Sequence, residues 1–212
     1  MEKTEFIRTY YPVAKKAERY TGVPALFALA QSALESGWGK HTPGNMLFGM
    51  KIGSGRNFGG WEGERQLVTT HEYSSKSTLS YPHIYPGYPV RSSGGKWKYK
   101  IKDYFRAYPT PLHAFRDWAG LLTGASRYAK AMSHTAQPYR FAEEVAAAGY
   151  ATSPTYAEKV KRVMREIERI LPTVKADKKM WRFVLPIGGL LLCAGLIWAA
   201  LHQRKQLQNS HA

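Results

Sequence analysis

The hydrophobic period of this chain changes twice along its 212 residues, and this change limits the fold more than any other feature. Between Thr42 and Arg106 the chain has glycine-rich turns and alternating runs at 67–73 and 97–102, which predict a small antiparallel β region. On either side, apolar residues recur every three or four positions, which predicts helices. The helical segments are 3–21, 24–36, 111–122, 138–148 and 154–170. We therefore expect an α+β fold in which a small β lobe interrupts a helical lobe.

The last part of the chain differs from the rest in hydropathy. Residues 183–201 contain no charged side chain, and as a helix they would span about 28 Å, close to the thickness of a bilayer's hydrocarbon core. Trp181 and Trp198 near the two ends suit the membrane interfaces. We predict a transmembrane helix over 181–201 that contacts the lipid bilayer; a buried helix of the globular domain is the alternative. The predicted order is a folded domain, a basic linker, the transmembrane helix and a polar tail, at 1–171, 172–180, 181–201 and 202–212.

The charge balance favours partners that carry negative charge. The chain has 31 Lys and Arg against 15 Asp and Glu, a net charge of +16. This balance suits nucleic acid, anionic lipid or a phosphate-bearing cell wall, and it does not choose among them. Cys193 is the single cysteine, so no internal disulfide is possible. The histidines lack the spacing of a metal site, so we expect no metal and no cofactor.

Glu35 stands at the end of the second predicted helix, two residues before Gly37 and three before Trp38. At about 100° per residue its side chain points away from the apolar stripe, on the same side as Gln31 one turn earlier. The negative end of the helix and shielding by Trp38 both oppose ionisation, so we expect the pKa of Glu35 to be raised. A carboxyl group that keeps its proton can act as a general acid. On this pattern alone, a surface glutamate before a glycine cap is the alternative.

Glycoside cleavage suits a cleft between two such lobes. It commonly needs one protonated carboxyl group for the leaving oxygen and a second group that activates water or stabilises the positive centre. In the β region, Glu72 ends a run in which strand alternation can aim it across a groove; an exposed strand carboxylate is comparably consistent with the spacing. The other candidates for the second group are Glu62, Glu64 and Asp103.

Five segments in order resemble the glucosaminidase domain of bacterial peptidoglycan hydrolases, glycoside hydrolase family 73, which includes autolysins and a flagellar rod-associated enzyme. The segments are AQSALESGWG at 30–39, NMLFGMK at 45–51, THEY at 70–73, FRAY at 105–108 and AGYATSPTYA at 148–157. The resemblance covers about residues 5–171. It implies a lysozyme-like fold and hydrolysis of the β-1,4 bond that follows N-acetylglucosamine in peptidoglycan glycan strands. It also implies that Glu35 is the general acid, that Glu72 is the second carboxylate and that Tyr150 lines the catalytic groove.

The chain departs from this family pattern at two places. Ser153 stands where the family often has aspartate, a change that affects the cap of the last helix. The stretch 74–96 is longer than the usual short hairpin and obscures how the β lobe closes. Among the aromatic residues we expect Phe48 to be core. As substrate-binding residues we predict Gln31, Trp38, Asn45 and Tyr128, with a turn role as the alternative for Asn45.

These observations lead to the hypothesis of a membrane-anchored peptidoglycan hydrolase with endo-β-N-acetylglucosaminidase activity and no specific nucleic-acid partner. A lytic transglycosylase or muramidase that cleaves the other linkage is one alternative, and an inactive wall-binding module is another. The first residues show no secretory signal peptide, and basic residues are more numerous before 181–201 than after it. The positive-inside rule therefore places the domain in the cytoplasm, away from the wall. A lysin of phage type, or export without a recognisable signal, would resolve this conflict.

Overall fold

The computed structural model of this chain describes residues 1–53, 57 and 59–176, and in this part helices flank a sheet. The change of hydrophobic period therefore predicts the architecture correctly, and the α+β expectation is confirmed. Met1–Arg169 forms one compact unit, and residues 170–176 belong to a second one. The helices are α1 Lys3–Thr21, α2 Ala25–Ser36, α3 Pro111–Gly124, α4 Ala129–Met132, α5 Pro138–Ala147 and α6 over 156–176.

Two long strands form the centre of the β lobe. Strand β1, Arg65–Ser74, pairs antiparallel with β4, Trp97–Arg106, along their full lengths. Two short strands, β2 His83–Ile84 and β3 Val90–Arg91, pair with β4 as well, and the sheet order is β1-β4-β2. The long stretch 74–96 therefore widens the sheet on the side of β4 away from β1.

The core of the helical lobe is aromatic. Phe27 on α2 packs against Trp118 on α3 and Phe141 on α5, with ring centroids 5.9 and 5.1 Å apart. Phe48, from the loop after α2, stacks on Trp118 with centroids 4.5 Å apart and an interplanar angle of 6°. The expectation that Phe48 belongs to the core is confirmed. This contact fixes the loop that precedes the β lobe against the helical lobe.

A buried ion pair joins the end of β4 to α3. Arg106 Nη1 lies 2.7 Å from Asp117 Oδ2, and both side chains are 0% exposed. The Tyr108 hydroxyl donates to the same oxygen at 2.8 Å. The guanidinium of Arg106 also lies 4.6 Å from the ring centroid of Trp61, within cation–π range. Because these residues come from both lobes, the cluster holds the sheet on the helices.

Gly60 lies directly against the backbone of α3, and this contact leads to a stability prediction. A Cβ atom at Gly60 would lie 2.2 Å from the carbonyl oxygen of His113 and 2.5 Å from the backbone nitrogen of Asp117. We expect Gly60→Ala to lower the free energy of unfolding by about 1–3 kcal/mol, because backbone atoms must move to admit the methyl group. Urea unfolding measures this change. Gly94→Ala is the matched control, since a Cβ there meets no atom within 4 Å. Equal stability of the two variants would contradict the prediction.

The C-terminal predictions fall mostly outside the described residues. The predicted transmembrane helix over 181–201, the tail 202–212, Cys193 and residues 177–180 of the predicted linker all lie there. Helix α6 continues over 172–176, so the first five linker residues are helical. Across residues 1–53, 57 and 59–176, no helix is both long and apolar enough to cross a bilayer.

Candidate active site

A groove separates the end of α2 from strand β1, and Glu35 lies where two cavities meet. The first cavity, of about 520 Å³, is lined by Glu35 and by Val68–Glu72 of β1. The second, of about 390 Å³, is lined by Glu35 together with the rings of Tyr128, Tyr150 and Tyr156. Gly49 lines both cavities as well. The arrangement leaves room for an extended ligand on both sides of one carboxyl group.

Helix α2 ends one residue after Glu35, at Ser36. Gly37 adopts a left-handed conformation with φ 58°, and its amide bonds the carbonyl oxygen of Ala33, which is the usual glycine cap of a helix. On the facing loop, Gly49 also has φ 58°. A Cβ atom at Gly49 would lie 3.9 Å from Glu35 Oε2. Two glycines therefore define the position of the carboxyl group, one by ending the helix and the other by its close approach.

Gln31 connects Glu35 to a buried aromatic network. Its Nε2 donates to Glu35 Oε1 at 2.9 Å and to the Tyr150 hydroxyl at 3.3 Å. The Tyr156 hydroxyl donates to Gln31 Oε1 at 2.9 Å, and Trp118 Nε1 donates to the Tyr150 hydroxyl at 2.8 Å. Gln31 itself is 1% exposed. Hydrogen bonds at both its nitrogen and its oxygen therefore hold the Gln31 amide, which presents a fixed N–H to Glu35.

The electrostatics of Glu35 suit a proton donor. The Glu35 side chain is exposed to the groove, while the protein around its carboxyl group displaces part of the surrounding water. Burial raises the pKa of Glu35, and the hydrogen bond from Gln31, which favours the charged form, opposes this only in part. The raised pKa of Glu35 agrees with the expectation from the sequence, and its main cause is burial.

Tyr150 is placed to donate a hydrogen bond. Burial raises the pKa of its phenol, and the hydrogen bonds from Trp118 and Gln31 act in the opposite direction without cancelling the effect. The phenol is therefore neutral near pH 7. Because its oxygen accepts from Trp118 Nε1 and Gln31 Nε2, its own hydrogen remains for a further acceptor.

Glu72 lines the same cavity as Glu35 and is held by a lysine. Lys51 Nζ lies 2.6 Å from Glu72 Oε1 and 2.9 Å from Asp103 Oδ2. Burial acts to lower the pKa of Lys51, but its hydrogen bonds and charge interactions with the two carboxylates outweigh burial and raise it. The lysine is therefore charged, and of the two carboxylates only Glu72 lines the cavity.

The other two candidates for the second carboxylate lie elsewhere. Glu62 Oε1 is 3.4 Å from His113 Nε2, and the Glu62 side chain is 62% exposed. The backbone carbonyl of Glu64 accepts a hydrogen bond from the amide of Ala107 at the end of the sheet. Neither glutamate lines the two cavities of the groove.

The predicted substrate-binding residues divide into two groups. Tyr128 lines the second cavity, although it is 0% exposed, and Gln31, 1% exposed, lines neither cavity and reaches the groove only through its hydrogen bond to Glu35. The Trp38 ring instead packs edge-on against Phe6 at 5.5 Å, and it lines neither cavity. Asn45 Nδ2 donates to the carbonyl oxygen of Tyr108 at 2.8 Å, which is the turn role given as its alternative.

Three residues of the site have no individual role in the sequence-based prediction: Lys51, Trp118 and Tyr156. Lys51 and Tyr156 fall inside segments that carry the family resemblance, so these segments could have indicated them. Trp118 lies on a helix with ordinary apolar spacing, and nothing in the sequence indicates that its indole N–H meets Tyr150. Within residues 1–53, 57 and 59–176, no three His, Cys, Asp or Glu side chains form a group that could hold a metal ion.

Comparison with known proteins gives consistent matches. The family model described as mannosyl-glycoprotein endo-beta-N-acetylglucosaminidase matches residues 11–169. The peptidoglycan hydrolase FlgJ of Pseudomonas aeruginosa is 36% identical over 171 residues, which cover 77% of this chain and 36% of that protein. FlgJ of Escherichia coli K12 is 34% identical over 174 residues, which cover 79% of this chain and 47% of that protein. The chain thus spans about a third to a half of the length of these relatives.

Among solved structures, the glycoside hydrolase domain of Salmonella typhimurium FlgJ is similar, with a TM-score of 0.61 and 28% identity. That match covers 85% of this chain and 97% of the other. A glycoside hydrolase domain and this chain therefore share one fold, with its helical lobe and small sheet.

Proposed function

Since this chain belongs to the glucosaminidase family, we propose that it is a peptidoglycan hydrolase that cleaves the β-1,4 bond following N-acetylglucosamine. The observation that carries the proposal is the position of Glu35 at the meeting point of two cavities, with a raised pKa and with Glu72 on the wall of the same groove. The names of the relatives, peptidoglycan hydrolase and glycoside hydrolase domain, support the same substrate class. The groove is open at both sides of Glu35, as cleavage within a polymer requires.

In the proposed mechanism, Glu35 acts as the general acid. Its proton passes to the glycosidic oxygen while the bond between that oxygen and C1 of N-acetylglucosamine breaks. The negative charge of Glu72 favours the positive charge that develops at C1. Water then adds to C1 and its proton returns to Glu35, so the product is a strand with N-acetylglucosamine at its reducing end. The Tyr150 hydroxyl supplies a hydrogen bond to the sugar beside Glu35.

The identity of the new reducing end tests this proposal. The full chain is incubated with purified cell-wall sacculi, and the released fragments are reduced with borohydride and analysed by mass spectrometry. We expect N-acetylglucosaminitol at the reduced ends. N-acetylmuramitol would instead show a muramidase, and 1,6-anhydro ends would show a lytic transglycosylase. Binding to sacculi without release of fragments would indicate a wall-binding module.

The hydrogen bond from Gln31 to Glu35 leads to a prediction about pH dependence. Because this bond favours the charged form, its removal in Gln31→Leu should raise the pKa of Glu35 further. A general acid works while it is protonated, so the alkaline limb of kcat/KM should move to higher pH. The maximum of kcat/KM should fall about tenfold, since Tyr150 and Tyr156 also lose their contacts with the amide. A limb that stays in place or moves to lower pH would contradict this role of Gln31.

A further inference from the structure

Lys51 joins two carboxylates of the β lobe at the edge of the groove. Its ammonium contacts Glu72 and Asp103, and the exposed fractions of the Lys51, Glu72 and Asp103 side chains are 35, 32 and 18%. We propose that Lys51 is a positioning residue that holds the Glu72 carboxylate in place for the reaction, with Asp103 as the anchor of the ammonium group. The inference rests on the proposed function, in which Glu72 is the second carboxylate.

The short segment that carries Lys51 is fixed to both lobes. The residue forms an antiparallel bridge with Phe105 of β4, and the amide of Arg106 donates to the carbonyl oxygen of Met50 at 2.8 Å. Two and three residues earlier in the same short segment, Gly49 approaches Glu35 and Phe48 stacks on Trp118. One segment, 48–51, therefore contacts the surroundings of both carboxyl groups. This continuity fixes the base of the Lys51 side chain relative to Glu35.

Asp103 and Glu72 have different relations to the groove. Both bind the ammonium, but Glu72 lines the cavity shared with Glu35 and Asp103 does not. Because Asp103 also binds the ammonium, the lysine keeps a fixed position from which it can hold the Glu72 carboxylate. The rings of Tyr81 and Phe105, with centroids 6.0 and 5.8 Å from the ammonium, restrict it further. The geometry thus supports a stationary cation that holds one catalytic carboxylate in place.

Removal of the Lys51 charge is expected to affect fold stability and the position of Glu72 differently. Ion pairs with a third of their surface exposed contribute little to stability, so removing the lysine charge is not expected to unfold the domain. Displacement of a reacting group by about 1 Å can lower a rate about a hundredfold. A change in kcat without a change in unfolding temperature is therefore the result that identifies positioning.

Kinetics of three variants test the inference. We expect Lys51→Met to lower kcat about tenfold or more, with KM within about twofold and an unchanged unfolding temperature. Lys51→Arg should restore at least about half of kcat, because a guanidinium also binds two carboxylates. The kcat of Asp103→Asn should lie between those of Lys51→Met and Lys51→Arg. Lys98→Met is the matched control on the opposite face of β4, and its kcat should equal that of the unchanged chain.

The outcomes separate the inference from the proposed function. If the unchanged chain cleaves glycan and Lys51→Met has an equal or higher kcat, the positioning role is wrong and the proposed function stands. If the unchanged chain cleaves no glycan, the proposed function is wrong. Whether the Glu72 carboxylate is held in one position is then measured by NMR of its side-chain carboxyl carbon. The resonance is assigned by comparison with Glu72→Gln. If the Glu72 carboxyl resonance loses its distinct chemical shift in Lys51→Met, the positioning role of Lys51 is supported. If the resonance is unchanged, that role is overturned.

Discussion

Replacing Glu35 with glutamine is expected to lower kcat for glycan cleavage by about 10²- to 10⁴-fold, the usual contribution of general acid catalysis. The amide has nearly the shape of the carboxyl group but cannot give up a proton to the leaving oxygen. Its oxygen can still accept the hydrogen bond from Gln31, so the groove should keep its shape. Release of soluble fragments from sacculi measures the rate, and circular dichroism checks the fold.

A matched control makes this result specific. Glu62→Gln removes a charge from an exposed glutamate that lines neither cavity, so its kcat should not change. Residual activity of Glu35→Gln within about tenfold of the unchanged chain would rule out Glu35 as the acid. Loss of activity in both variants would point to net charge rather than to proton transfer.

The second large effect is expected on stability, at the buried ion pair between the lobes. Asp117→Ala should lower the free energy of unfolding by about 3–5 kcal/mol, because Arg106 loses its buried counter-charge. The variant also takes the acceptor from the Tyr108 hydroxyl. Urea unfolding, followed by circular dichroism, measures the change.

Two further variants test the cause of this loss. The double variant Arg106→Met with Asp117→Leu removes both charges and should recover much of the stability, since well-packed apolar pairs often replace buried ion pairs. Glu5→Ala breaks an exposed pair with Arg8 and should cost less than about 1 kcal/mol. A loss in Asp117→Ala no larger than in Glu5→Ala would show that the pair does not join the lobes.

Local patterns in the sequence predict the parts of the site that depend on neighbouring residues. Gln31 and Glu35 are four residues apart on one helix, so their contact follows from helical geometry alone. The alternation in β1 and β4 likewise predicts the two long strands and the position of Glu72 on one of them.

Long-range contacts explain what the sequence does not predict. Tyr156 reaches Gln31 across 125 residues, and the charge of Lys51 meets Glu72 across 21. No period or spacing encodes such pairs. Local patterns also do not predict the placement of Trp38, whose backbone has φ 59°, a turn conformation that is rare for this residue type, and whose ring packs on α1. Buried Arg106 and Asp117 likewise contradict the general rule that charged residues are exposed.

The titration of the Glu35 carboxyl group tests the central claim most directly. In the ¹³C-labelled full chain, its carboxyl resonance is assigned by comparison with Glu35→Gln and followed against pH. We predict a pKa above the usual range of glutamate, and a fall of kcat/KM that begins over the same pH interval as Glu35 loses its proton. A pKa at or below the usual range, or an activity that persists after Glu35 has ionised, would contradict its role as the proton donor.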